Sequence, residues 1–176
     1  MKLLLTILVF SLTLAAQNPP ATPSAPFAED GKSIDTIIHA MYEVISGPAG
    51  TRNWQRFHSL FLPQATLATV FHKEGQIRHA VMSPDDYMHG AEPYFQQHAF
   101  YEAEIARRTE QFGNIAHVFT TYASRRDPKG EPFERGINSV ELLNDGARWW
   151  ILTISWDSER ADNPIPAEYL KSAPSN

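Results

Sequence analysis

Four long segments with the alternation of β-strands fill the second half of the chain, and they restrict its fold more than any other feature. They cover residues 100–112, 115–125, 133–143 and 148–157. The dipeptides Gly113-Asn114 and Asp145-Gly146 lie between paired segments and are typical of tight hairpin turns. Because strands joined by short turns pair antiparallel, these segments predict one antiparallel sheet.

Three segments with a helical spacing of apolar residues precede the long strands. The first begins at the cap Ser33, the second at Asn53 and ends before Pro63, and the third at Ser83. Pro93 is predicted to kink or end the third helix, because proline removes a backbone donor. A hairpin separates the second helix from the third, at residues 66–72 and 77–82. Helices segregated from long strands predict an α+β fold, a curved antiparallel sheet of about six strands wrapped on three helices.

The N-terminus has the three parts of a secretion signal. Lys2 supplies the positive charge, residues 3–14 form an apolar run, and Ala15-Ala16 offer a cleavage site. The run is shorter than the roughly 20 residues that cross a bilayer as a helix. An uncleaved N-terminal anchor is the alternative. We therefore predict an exported protein, located in the periplasm or the medium.

The predicted organisation has four parts, and only one of them is a folded domain. These are a signal peptide at 1–16, a flexible leader at 17–32, the domain at 33–159 and a C-terminal tail at 160–176. Prolines among Ala, Ser and Thr give the leader a composition that cannot bury a core. The domain has the size of an ordinary single-domain protein.

Charge and composition argue against several classes of partner. The chain has 15 basic and 20 acidic residues, a formal net charge of −5, and no basic cluster longer than two residues. Nucleic acid is therefore a poor partner, as is a membrane surface once the signal is removed.

The chain has no Cys and no glycine-rich nucleotide fingerprint, so neither disulfides nor a cofactor is predicted. His72 and His79 share a hairpin face without an obvious third ligand, and no metal site is predicted.

The strands in the second half resemble those of a known superfamily. Three segments carry the resemblance: IAHVFTTY at 115–122, RGINS at 135–139 and RWWILTISW at 148–156. They resemble the nuclear transport factor 2-like superfamily, in particular its small SnoaL-like bacterial members, over about residues 33–159. The resemblance implies a cone-shaped domain whose curved sheet and three helices enclose a pocket. It also implies a homodimer formed through the outer face of the sheet.

The resemblance does not fix an activity. Members include isomerases, dehydratases, cyclases and epoxide hydrolases, and others only bind ligands or proteins. The isomerase type needs an aspartate base facing a tyrosine hydroxyl, but the aspartates of this domain lie at caps, turns and ends. The Asp-Arg-Asp set of the epoxide hydrolase branch is not seen either. Whether the protein is an enzyme therefore stays open.

Pairing the last hairpin about Asp145-Gly146 predicts two largely apolar faces. Asn138 is the polar member of one face, where it either bonds to neighbouring backbone or presents its amide to a ligand. Arg135 is predicted to lie opposite Trp156 on the other face, as a cation–π pair or an anion site. Both faces are expected to be covered, one by helices and pocket and the other by a partner subunit.

Pairing the preceding hairpin about Gly113-Asn114 places Ile105 opposite Tyr122, and Glu102 opposite Arg125. Glu102 and Glu104 then lie side by side, away from the face predicted to be buried. They are either exposed, with an ion pair from Glu102 to Arg125, or a coupled acid–base pair.

The combined prediction is an exported, homodimeric domain that binds a small apolar or aromatic molecule. Aromatic residues are expected to line its pocket, drawn from Tyr42, Trp54, Tyr87, Tyr122 and Trp156. The predicted ligand-binding residues are His58, Tyr87, Glu104, Tyr122, Arg135, Asn138 and Trp156. One alternative is an acid–base enzyme of the isomerase, dehydratase or cyclase type in the same pocket. Another is a protein-interaction module that uses the outer sheet face.

Overall fold

The computed structural model describes residues 25–171. The helices are α1 (Ile34–Ile45), α2 (Trp54–His58) and α3 (Pro84–Gln97), with 3-10 helices at Ala25–Gly31 and Ala167–Tyr169. The strands are β1 (Phe61–Lys73), β2 (Gln76–Met82), β3 (Tyr101–Phe112), β4 (Ile115–Arg125), β5 (Glu134–Asn144) and β6 (Trp149–Ser158). Within this part of the chain, no helix has the length and apolar character needed to cross a membrane.

The six strands form one sheet in the order β2-β1-β6-β5-β4-β3. All neighbouring strands are antiparallel except β1 and β6, which are parallel. The three helices pack on one face of the sheet, called here the inner face, and the hydrophobic core lies between them. The α+β fold with a curved six-stranded sheet on three helices is thus confirmed, with one parallel pair that the sequence did not indicate.

Helix α1 begins with a reciprocal capping box. The side chain of Ser33 accepts from the backbone amide of Thr36, and the Thr36 hydroxyl accepts from the amide of Ser33. Ile37, Ile38 and Met41 then form its buried face against the sheet. This cap fixes where the helix starts, and hence which side chains it presents to the sheet.

Helix α2 is shorter than predicted and α3 is longer. Phe61 pairs with Ile151 of β6, so the backbone becomes extended where the sequence suggested helix. Helix α3 begins with a Ser83 capping box, as predicted, but continues four residues beyond Pro93. Pro93 removes the amide that would donate to the carbonyl of His89. Both residues are exposed, so this carbonyl is open to solvent.

A β-bulge in β3 changes which way two carboxylates face. The ladder is regular from Phe112 to Ala106, then shifts by one residue, so that Glu104 pairs with Tyr122 and Glu102 with Ser124. The predicted pairing of Ile105 with Tyr122, and of Glu102 with Arg125, is therefore wrong. Because the bulge adds a residue on one strand only, it turns Glu102 and Glu104 toward the inner face.

A second bulge lies in β6, and it corrects the predicted position of Arg135. The loop between β5 and β6 has four residues, 145–148, and the ladder shifts again at Leu152. Trp156 consequently pairs with Asn138 on the inner face. Arg135 instead binds Glu159, with both nitrogen–oxygen distances at 2.7 Å, so the predicted cation–π pair with Trp156 is wrong.

The folded region begins earlier than residue 33. Ala25–Gly31 form a 3-10 helix that packs on α1, where the sequence predicted a flexible leader. The Asp30 carboxylate accepts two bonds from Arg56, at 2.8 and 2.9 Å, and this ion pair ties the segment to α2. The predicted signal peptide, the start of the leader and the last five residues lie outside the described residues.

The C-terminal tail folds back over the opposite face of the sheet, called here the outer face. Thr121 of β4 donates to the carbonyl of Tyr169 at 2.5 Å, and the rings of Phe119 and Tyr169 meet edge to face at 5.1 Å. Ile165 is 9% exposed. The tail therefore covers the centre of a face that the sequence analysis assigned to a partner subunit.

Candidate functional site

A cavity of about 150 Å³ lies between the helices and the inner face of the sheet. Apolar side chains from α1, α2, β1, β6 and the residue before β3 form most of its wall: Met41, Ile45, Phe57, Phe61, Leu67, Phe100 and Ile154. Residues with polar groups complete the lining: Tyr87, Glu102, Tyr122, Glu134, Asn138 and Trp156. A dry engineered cavity of about this volume holds a benzene molecule, so a single ring fits the space.

Glu102 is the central ionisable group of the cavity. It is half-buried and lines the cavity. Burial raises the pKa of Glu102 from 4.5 to about 7, and the Glu134 carboxylate adds to the rise. Hydrogen bonds from Ser124, at 2.8 Å, and from Asn138 oppose it by stabilising the charged form.

A chain of hydrogen bonds runs from Asn138 away from the cavity. The Thr120 hydroxyl donates its only proton to Glu104 at 2.7 Å, so the Tyr42 hydroxyl must donate to Thr120 at 2.9 Å. Asn138 Nδ2 in turn donates to Tyr42 at 3.1 Å. Burial raises the pKa of the Tyr42 phenol, which keeps its proton in place. Both carboxylates, Glu102 and Glu104, are thus linked through Asn138.

Tyr122 lies between the buried part of the cavity and its opening. Its hydroxyl donates to Glu134 at 3.2 Å, and Ser158 lies 3.4 Å away. Tyr122 is 2% exposed, whereas Glu134 is exposed even though it lines the cavity, which places Glu134 at the opening. Gly136 allows this arrangement, because a Cβ there would lie 2.5 Å from the Tyr122 hydroxyl.

Aromatic rings form another part of the cavity wall. Tyr87 of α3 stacks on Phe57 at 5.4 Å between centroids and meets Trp156 edge to face at 6.4 Å. Phe57 also contacts Phe61 at 4.8 Å. Such offset and edge contacts hold each ring in one orientation, so the wall is shaped before any ligand arrives.

Comparison with solved structures identifies the fold. An NTF-2 like protein from Silicibacter pomeroyi matches with a TM-score of 0.51 at 15% identity, over 72% of this chain and 92% of that one. This chain has the nuclear transport factor 2-like fold. A variant of a Mycobacterium tuberculosis protein of unknown function gives a TM-score of 0.55 at 12% identity, over 77% and 80% of the two chains. No protein-family model and no curated protein matches the sequence. Identities this low establish the fold alone.

Four of the predicted site residues line the cavity of this nuclear transport factor 2-like domain, and three do not. Tyr87, Tyr122, Asn138 and Trp156 line it. His58 lies outside the lining, with Nε2 3.3 Å from Asp85. Glu104 accepts from Thr120 and lies 3.3 Å from Arg107, and Arg135 binds Glu159. Whether the four lining residues contact a ligand stays a prediction.

Sequence reasoning missed Glu102 and Glu134 as lining residues. Glu102 was considered only together with Glu104, on the face expected to be exposed. Glu134 gave no signal, because it lies at the start of a strand beside a polar loop. Ala116, Val118 and Thr120 alternate along β4 and are buried on the inner face. The sequence does not indicate the bulge in the facing strand β3.

A wider groove of about 410 Å³ lies between the outer face and the C-terminal tail. Its two carboxylates are already bound, Asp157 to Arg160 and Glu159 to Arg135. Among residues 25–171, no group of three His, Asp or Glu side chains is placed to hold a metal ion. The smaller inner cavity of the nuclear transport factor 2-like fold, with its buried carboxyl and aromatic wall, is therefore the candidate site.

Proposed function

We propose that the inner cavity binds a small molecule with an apolar or aromatic body and a polar group that contacts Glu102. The observation that supports this most directly is the division of the cavity into an aromatic wall and a polar end. Ligand pockets in proteins commonly combine an apolar lining with a few fixed polar groups. The volume of about 150 Å³ favours a single ring or a short branched chain.

Tryptophan fluorescence tests binding, because Trp156 lies in the cavity wall. Phenol, benzyl alcohol, cyclohexanol and indole are suitable probes, and at least one is expected to shift or quench the emission in a saturable way. The response should be lost in Trp156→Phe and kept in Trp150→Phe, since Trp150 does not line the cavity. A lack of response to every probe, or a response that survives in Trp156→Phe, would contradict binding at this site.

We propose proton transfer as a second candidate function for the same cavity. The supporting observation is the Glu102 pKa of about 7, since a general base works best when its pKa is near the operating pH. The fixed phenols of Tyr87 and Tyr122 lie beside it, and burial raises the pKa of both, so they remain donors at neutral pH. The reaction class would be removal of a proton next to a carbonyl group.

Deuterium exchange into a ring ketone, followed by NMR in D₂O, tests the second candidate. With cyclohexanone or acetophenone, the exchange rate is expected to rise with pH through about 7, because only the ionised carboxylate accepts a proton. Glu102→Gln is expected to lower the rate by about 10²- to 10⁴-fold. An unchanged rate in that variant would remove Glu102 as the base and leave ligand binding as the function.

We also propose that the protein is exported and that it forms a homodimer through the uncovered part of the outer face. Export is supported by Lys2, the apolar run at 3–14 and the small residues after it. Dimerisation is supported by Ile77 and Val81, which are 73% and 65% exposed on the outer face beside β1. An exported protein would meet its ligand in the periplasm or the medium.

A further inference from the structure

We propose that the ligand of the inner cavity is an organic cation, a protonated amine that carries one small apolar or aromatic group. This inference rests on the proposed ligand-binding function and specifies the class of molecule that the cavity takes. It follows from three observations: the charges at the polar end, the hydrogen-bonding groups left unused there, and the rings that surround it.

Two carboxyl groups mark the polar end of the cavity. Glu102 on β3 and Glu134 on β5 both pair with Ser124 of the strand between them, so they flank the same position of the sheet. No Lys, Arg or His is found among the lining residues, as far as the structure describes the chain. A negative potential is therefore expected at this end of the cavity, and it favours a cation.

Three of the hydrogen-bond donors near these carboxyl groups, those of Ser124, Tyr122 and Asn138, are already used. Ser124 donates to Glu102, Tyr122 donates to Glu134, and Asn138 donates to both Tyr42 and Glu102. Besides the Tyr87 phenol, what remains for a ligand is acceptor capacity on the carboxylate oxygens, each of which has more than one lone pair. An ammonium group offers only donors and matches these acceptors, whereas a carboxylate ligand would be repelled by both carboxyl groups.

The aromatic wall also favours a positively charged ligand. Tyr87, Trp156 and Phe57 form a connected cluster of rings, and Phe100 lines the cavity as well. The faces of such rings attract cations, and a desolvated site strengthens the attraction. A neutral alcohol of the same shape would contact the same rings without this contribution, so the cavity should distinguish the two molecules.

Calorimetry with benzylamine, benzyl alcohol and benzoate separates charge from shape. Benzylamine stays protonated between about pH 6 and pH 8, while the fraction of ionised Glu102 rises from about one tenth to nine tenths. Its affinity is therefore expected to rise about tenfold over that range, with release of a proton detected in buffers of different ionisation enthalpy. Benzyl alcohol should bind more weakly and equally at both values, and benzoate should not bind.

Other titratable groups around Glu102 are Glu134 of β5 and the phenols of Tyr42, Tyr87 and Tyr122. Burial raises the pKa of all three phenols, so they keep their protons throughout the range tested.

The matched variants are Glu102→Gln and Glu134→Gln at the site, with the exposed Glu110→Gln on the same strand as Glu102 as control. Benzylamine binding should lose its pH dependence in Glu102→Gln, weaken in Glu134→Gln and stay unchanged in Glu110→Gln.

The outcomes distinguish this inference from the function on which it rests. If benzyl alcohol binds as tightly as benzylamine at about pH 8, the cavity is a ligand site but does not select cations, and the inference is overturned. Benzoate binding, or benzylamine binding that survives unchanged in both Glu102→Gln and Glu134→Gln, would also overturn it. If none of the three molecules binds, the proposed function fails together with the inference.

Discussion

At about pH 8, Glu102→Gln is expected to raise the free energy of unfolding by about 3 kcal/mol. Burial raises the pKa of this carboxyl from 4.5 to about 7 in the folded protein. The folded state therefore keeps a proton that the unfolded chain releases. The stability that Glu102 contributes is complete below about pH 4.5, falls as the pH rises toward 7, and is lost above it. Gln has a similar shape and never ionises.

Urea unfolding followed by circular dichroism at about pH 4.5 and about pH 8 measures this effect. The two proteins should differ little at the lower pH, where Glu102 is protonated in both folded and unfolded states. Glu110→Gln removes an exposed carboxyl from the same strand and should stay within about 0.5 kcal/mol of the wild type at either pH. Equal gains from Glu102→Gln and Glu110→Gln would show that general charge, rather than burial, is responsible.

Gly136→Ala is expected to destabilise the protein by about 1 to 3 kcal/mol, as overpacking typically does. A Cβ at this position would lie 2.5 Å from the backbone carbonyl oxygen of Asp157 and 2.5 Å from the Tyr122 hydroxyl. The carbonyl belongs to the neighbouring strand and cannot retreat without opening the ladder. The phenol would have to leave its place between Glu134 and Ser158, so the cavity would change shape.

Gly90→Ala is the matched control for this substitution. Gly90 lies within α3, and a Cβ there meets no atom within 4 Å. Alanine in an exposed helix position should stabilise the protein by up to about 1 kcal/mol relative to glycine. Thermal unfolding should therefore move the two variants in opposite directions. A Gly136→Ala variant as stable as the wild type would mean that Tyr122 is not tightly held.

The order of the elements could be predicted from the sequence because each helix start carries a local chemical signal. The caps Ser33, Asn53 and Ser83 accept from backbone amides of the first turn, and these contacts involve only residues three positions apart. The long strands could be predicted as well, because alternating apolar and polar residues indicate a strand with one buried face. Both signals lie within a short stretch of sequence, so they can be recognised without knowledge of the rest of the fold.

The inward position of Glu102 could not be predicted, because it depends on a bulge that no local signal marks. Ile105 is an ordinary strand residue, yet the ladder shifts beside it and reverses the faces of everything toward the N-terminus of β3. The bulge near Leu152 does the same for Ile154 and Trp156. Two bulges thus determine which side chains form the site, and only the packed sheet reveals them.

The C-terminal tail affects whether the domain stays soluble as a monomer. Strands β4 and β5 have helices on one side and the segment around Ile165 and Tyr169 on the other, so the sheet is the middle of three layers. The chain supplies its own third layer, and shielding of Phe119 does not require a second copy. A protein shortened at residue 159 would expose the apolar surface that the tail covers. It is expected to self-associate at concentrations where the intact chain stays soluble.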